Sequence, residues 1–156
     1  MDNIQIFQEK IKLPYKDITL EKIQKITFNL LKELNLLDRN FNLIITNNKN
    51  IKQINKDYRQ KNDETDVISF VYDNQGFPKV MELNDFLGDI FISLEKIADQ
   101  AKLYQVTFEY ELIRIIIHGV LHLIGYDHEK SEAEARKMEK IEERLLSKVL
   151  SVPILE

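Results

Sequence analysis

The 156 residues suffice for one domain with a substantial core, and their 44% hydrophobic and 31% charged content is ordinary for a globular chain. With no cysteine, disulfide scaffolds, thiolate metal sites and cysteine nucleophiles are excluded, so a soft-metal site must be built from histidine with carboxylates or water. A net charge of −4 argues against binding nucleic acid over the whole surface and leaves only a local basic patch.

The elements follow in chain order. Residues 4–7 read as a short strand. Residues 19–34 read as a helix capped by Thr19, with Leu20, Ile23, Thr27, Leu30 and Leu34 at helical spacing. Residues 41–46 form a second strand. Asn50 is expected to cap a short helix burying Ile51, Ile54 and Tyr58. Residues 48–61 hold Lys49, Lys52, Lys56, Arg59 and Lys61 against Asp57 alone, a local net of +4 that makes the lysines candidates for nucleic-acid contact. Residues 67–72 are a third strand, 73–85 a loop and 87–93 a fourth strand. Ser93 caps a helix with Leu94, Ile97, Ala98, Ala101 and Tyr104 on one face.

A helix from Thr107 to about residue 124 is apolar nearly all round in its second half, which predicts a buried central helix. Residues 129–149 form a last amphipathic helix with Met138, Ile141, Leu145 and Val149 as its stripe. Its many charges read as a solvated face. The order β-α-β-α-β-β-α-α-α, with strands early and helices late, predicts a single α+β domain over residues 1–156. Its helices, about five, pack on a small mixed four-stranded sheet. The N-terminal MDNIQIFQEK has no long apolar run, and residues 112–124 are too short and too polar to span a bilayer. A cytoplasmic protein without a membrane partner is expected.

All three histidines fall within HGVLHLIGYDH. His118 and His122 are four apart on a helix, so both point the same way and can reach one ion. Gly125 can end the helix in a left-handed turn and let the chain bring His128 back to that ion. Three imidazoles leave a fourth tetrahedral position open, as in catalytic zinc sites. The spacing H-x-x-x-H-x-x-G-x-x-H is that of the metzincins and makes the domain zincin-like. The glutamate base that metzincins carry after the first histidine is Gly119 here. Gly119 is expected to pack closely on a strand or to leave room for substrate.

The same eleven residues resemble the signature H-G-x-L-H-L-x-G-Y-D-H of the YbeY family, the metal-dependent, single-strand-specific endoribonucleases of ribosome maturation. Two further segments are similar to that family: Asn55-Lys-Asp-Tyr58-Arg59-Gln-Lys61 followed by Thr65-Asp66-Val67-Ile68-Ser69-Phe70, and Leu87-Gly88-Asp89-Ile90 through Ser93. Asn62, Glu64 and Val71 depart from the pattern, in the loop and strand end after Arg59.

The resemblance implies one zinc ion per chain on His118, His122 and His128, though imidazole also suits other divalent transition metals. It implies that activity requires Arg59 as well as His118. It also implies an RNA substrate, the small-subunit ribosomal RNA precursor at its 3′ end, with the ribosome, its small-subunit proteins and assembly factors as partners. Asp127 is a candidate partner orienting a ligand histidine. Asp66 and Asp89 read equally well as structural or functional. Two other functions stay open: a metzincin-like zinc peptidase, and a non-catalytic ribosome-binding module with a structural metal.

Overall fold

Branched and aromatic runs pair into one four-stranded sheet in the computed structural model, which describes residues 4–72, 85–127 and 129–151. β1 (Ile4–Gln8) lies parallel to β2 (Asn40–Thr46), with Ile6 opposite Leu43. β2 lies parallel to β4 (Phe86–Ser93), with Ile44 opposite Phe91. β3 (Val67–Val71) runs antiparallel on the outside of β4, with Ser69 opposite Ile90. The spatial order is therefore β1-β2-β4-β3.

The helices among the described residues are α1 (Leu20–Glu33), α2 (Asn48–Arg59), α3 (Leu94–Tyr104), α4 (Phe108–Leu123) and α5 (Glu132–Ser151). The element order and the mixed sheet match the α+β expectation. Thr19, Ser93 and Thr107 cap α1, α3 and α4 by accepting from the backbone N–H three residues on.

α4 is the central helix. Ile113, Ile116, Val120 and Leu121 are fully buried on it, and Ile90 and Ile92 of β4 are fully buried beneath. Met138, Leu145 and Val149 press α5 into the same core. Alternate residues of a strand face opposite ways. Ser69 of β3 therefore meets α4, its hydroxyl donating to the Gly119 carbonyl at 3.1 Å, while Phe70 faces away and meets Tyr58 of α2 edge-on.

Three expectations need correction. α2 is capped by Asn47 rather than Asn50: the Asn47 side chain accepts from the Asn50 N–H, so the helix begins earlier. Its buried face is Ile51 with Asn55, and Tyr58 is 72% exposed, its ring resting edge-on against Phe70 of β3 rather than entering the core. α5 begins at Glu132, where Ser131 accepts from the Glu134 N–H and supplies a start signal that residues 129 and 130 lack. Most of the expected loop, residues 73–84, lies outside the described residues. No described helix is long and apolar enough to cross a membrane.

Candidate active site

The helical spacing of His118 and His122 places their rings edge-to-face, with centroids 4.6 Å apart. Their Nε2 atoms converge to 3.1 Å. Two imidazole nitrogens bound at zinc distances to one tetrahedral ion would stand roughly 3.3 Å apart. The pair therefore fits a divalent transition ion with a shift of tenths of an ångström. On the other side of the His118 ring, Nδ1 lies 2.5 Å from Oε1 of Glu142 on α5.

α4 ends as its sequence predicts. Gly125 has φ +109°, its N–H donates to the His122 carbonyl at 3.1 Å, and the Tyr126 N–H reaches back to the Leu121 carbonyl at 3.0 Å. This double bond pattern satisfies the last carbonyls of the helix and turns the chain sharply. His128, the expected third ligand, follows three residues after Gly125 and lies outside the described residues.

The two histidines open onto a cavity of about 650 Å³, within the usual size for a substrate site. Arg59 at the end of α2, Lys61, the segment 63–67, and Ser69 and Val71 of β3 share its wall with Tyr126 and Asp127. Asn55, 2% exposed, braces that wall by donating to the Asp63 carbonyl at 3.0 Å. Among the four candidate lysines, Lys61 lines the cavity; Lys49, Lys52 and Lys56 are exposed on α2 outside it. Asp127 also lines it, and its carboxylate accepts from the Glu129 N–H at 2.9 Å.

Behind the cavity runs a polar network. Asp66 and the buried Glu111 each accept from Gln100 Nε2, at 3.1 and 3.0 Å. Arg114 donates to both Glu111 oxygens, at 2.9 and 2.6 Å. That hydrogen bonding, helped by the charges of Glu111, Asp66 and Glu142 and opposed by burial, holds the Arg114 pKa above the usual arginine value. Asp66 thus belongs both to the cavity and to its support. Asp89 does not line the cavity; it accepts from Asn42 Nδ2 at 2.9 Å between strands.

Gly119 faces the sheet. A Cβ there would meet Ile90 Cγ2 at 3.0 Å and Val67 Cγ2 at 3.3 Å, so of the two expected roles the structure shows close packing and no room left for substrate.

Three contributions escape the sequence reading: Glu142, Asn55 and the Glu111–Arg114 pair. Glu142 does leave a trace, being an acid four residues after Met138 and three before Leu145, inside the apolar stripe of α5.

The fold and the cavity together are those of an α+β enzyme. The family model Endoribonuclease YbeY matches residues 3–150. The endoribonuclease YbeY of Thermodesulfovibrio yellowstonii is 47% identical over 105 residues, which span 67% of this chain and 64% of that relative. That of Malacoplasma penetrans is 42% identical over 139 residues, 88% of each chain. That of a Sulfurihydrogenibium species is 37% identical over 134 residues, 86% of each. The solution structure of a Thermotoga maritima protein superposes with a TM-score of 0.63 at 28% identity, over 94% of this chain and 88% of that one. The chain belongs to the endoribonuclease YbeY family.

Proposed function

We propose that this chain is a single-strand-specific metallo-endoribonuclease. The carrying observation is the convergence of the His118 and His122 Nε2 atoms to 3.1 Å in a cavity that Arg59 also lines. His118 and His122 would hold one zinc or similar divalent ion, with His128 as third donor by its spacing. An ion held there would supply the chemistry of an acidified water and a Lewis acid toward phosphoryl oxygen.

The chain's own residues do the rest. The Arg59 guanidinium presents a planar fork of donors matched to phosphate oxygens, and it stabilises the negative charge that builds up on the phosphoryl oxygens as the bond from the attacking oxygen to phosphorus forms and the bond from phosphorus to the leaving ribose oxygen, which takes up a proton, breaks. Lys61 adds a second cation at the same wall. Asp127, beside the third histidine in sequence, serves as an orienting partner on this reading. Among the described residues, the lining carries five carboxylates (Asp63, Glu64, Asp66, Asp127, Glu129) against three cations (Arg59, Lys61, Lys130). Alone, such a cavity repels a phosphate chain, and a divalent cation brings it to balance.

The substrate on this reading is single-stranded RNA, the 3′ end of the small-subunit (16S) ribosomal RNA precursor. The ribosome, its small-subunit proteins and assembly factors are the partners, in the cytoplasm. The motif resemblance and the family membership support these assignments. A peptidase reading lacks its base, because position 119 holds glycine packed against Ile90.

The test is cleavage of single-stranded RNA by zinc-loaded chain, with and without chelator, beside the variants His118→Ala and Arg59→Glu. Cleavage is expected only in the loaded wild type. A loaded wild type that leaves RNA intact yet cuts unfolded protein overturns the reading.

A further inference from the structure

Zinc-ligating histidines need one ring nitrogen free of its proton, and in a neutral imidazole the proton sits on whichever nitrogen finds the better acceptor. In the His118 ring, Nε2 faces His122 and Nδ1 faces Glu142, on opposite sides. We propose that Glu142 is a positioning residue for His118: its carboxylate takes the Nδ1–H and turns the Nε2 lone pair into the metal site. The proposal rests on the metal-site reading above.

Several observations converge on this role. The Glu142 side chain is only 15% exposed, on a helix whose inward positions include Met138, Leu145 and Val149. A carboxylate in that stripe loses hydration and must recover it from a partner, and His118 Nδ1 at 2.5 Å is that partner. The three apolar neighbours are buried, so α5 cannot slide, and the carboxylate is held at a fixed place beside α4. Arg114, one helical turn before His118, lies close enough for its charge to interact with Glu142 and is itself pinned by two bonds to Glu111. Glu142 is not placed as a ligand: the imidazole ring stands between it and the point where the two Nε2 atoms meet. Without an acceptor at Nδ1 the tautomer loses the contact that fixes it, and a proton on Nε2 blocks metal.

Two measurements decide the matter. In the metal-free wild type at mildly alkaline pH, long-range proton–nitrogen NMR correlations of the histidine rings are expected to show His118 as the Nδ1–H tautomer. An Nε2–H tautomer, or a doubly protonated ring, overturns the proposal. Zinc affinity by chelator competition, on protein without a histidine tag, is expected to fall about 10- to 100-fold in Glu142→Ala, with the metal-free unfolding midpoint little changed. Glu142→Gln, which keeps an acceptor oxygen, is expected to restore most of the loss. Equal affinity in wild type and Glu142→Ala overturns the proposal, as does a drop fully matched by lost stability of the metal-free chain. Should Glu142→Ala fail to fold, Glu142→Gln and the wild-type spectrum still decide. A wild type that takes up no zinc sinks the metal-site reading, while the tautomer measurement still judges Glu142.

Discussion

Gly119 of α4 lies directly against Ile90 of β4, and a single added carbon would sit 3.0 Å from Ile90 Cγ2. The residue that follows His118 thus belongs to the packing between helix and sheet. Restoring the metzincin sequence by Gly119→Glu is expected to yield no peptidase. Overpacking costs about 1–3 kcal/mol, and a buried unpaired carboxylate adds several more. Urea unfolding should show a loss of at least ~3 kcal/mol; a variant of wild-type stability that cleaves peptides would reverse this view of the site.

Metal uptake should register as stability. Zinc at about 100 times its dissociation constant stabilises by ~2.7 kcal/mol, which raises the melting temperature by roughly 5–10 °C for a chain of this size. Chelator should reverse the rise, and His122→Ala should abolish it without lowering the metal-free midpoint much. An equal rise in His122→Ala would place the metal elsewhere.

Arg59 is exposed and lines the cavity, so its replacement should spare stability and damage rate. Arg59→Lys keeps the charge and loses the fork, for an expected drop of about 10- to 100-fold in kcat/KM on single-stranded RNA. Arg59→Glu should fall below detection. Wild-type kcat/KM in Arg59→Lys would mean that charge alone suffices there.

The lysines should separate by position. Lys61 shares the cavity with the histidines, whereas Lys52 and Lys56 lie on the exposed face of α2. Lys61→Glu is expected to raise KM for RNA more than Lys52→Glu with Lys56→Glu together. The double reversal should still flatten the slope of log affinity against log salt by about 1–2, from two lost phosphate contacts. An unchanged slope removes α2 from the RNA path.

The Glu111–Arg114 pair is a further lever, because Glu111 is 1% exposed. Arg114→Ala leaves that carboxylate buried with only Gln100 as partner, and should cost about 3–5 kcal/mol in urea unfolding. Changing both residues to well-matched apolar side chains should recover much of it. A small loss in the single variant would show that water reaches Glu111.

What the sequence revealed depended on how local the signal was. The caps Thr19, Ser93 and Thr107, the helix stop at Gly125 and the facing of His118 with His122 are set within a turn or two, and all were legible. Asn47 and Asn50 are equally good caps by sequence, and the choice between them depends on where the strand before them ends. Tyr58 continues the spacing of Ile51 and Ile54, and only the placement of β3 shows that its ring lies against Phe70 of that edge strand and stays exposed. Glu142 was hidden for a different reason: in a helix rich in both charges, one acid on the inner stripe is indistinguishable from its solvated neighbours until α4 is placed beside it.

The pairing of β2 directly with β4 has a consequence for how such a molecule can be altered. Ile44 sits against Phe91, and the whole stretch of chain between them, including α2 and β3, is a detour from the parallel sheet. The detour brings Arg59, Lys61 and Asp66, while His118, His122 and Glu142 come from helices that follow it. The cationic wall of the cavity and its histidine pair thus come from separate stretches of the chain. A graft that rebuilds residues 48–66 around an unchanged Arg59 should leave the histidine pair as it stands.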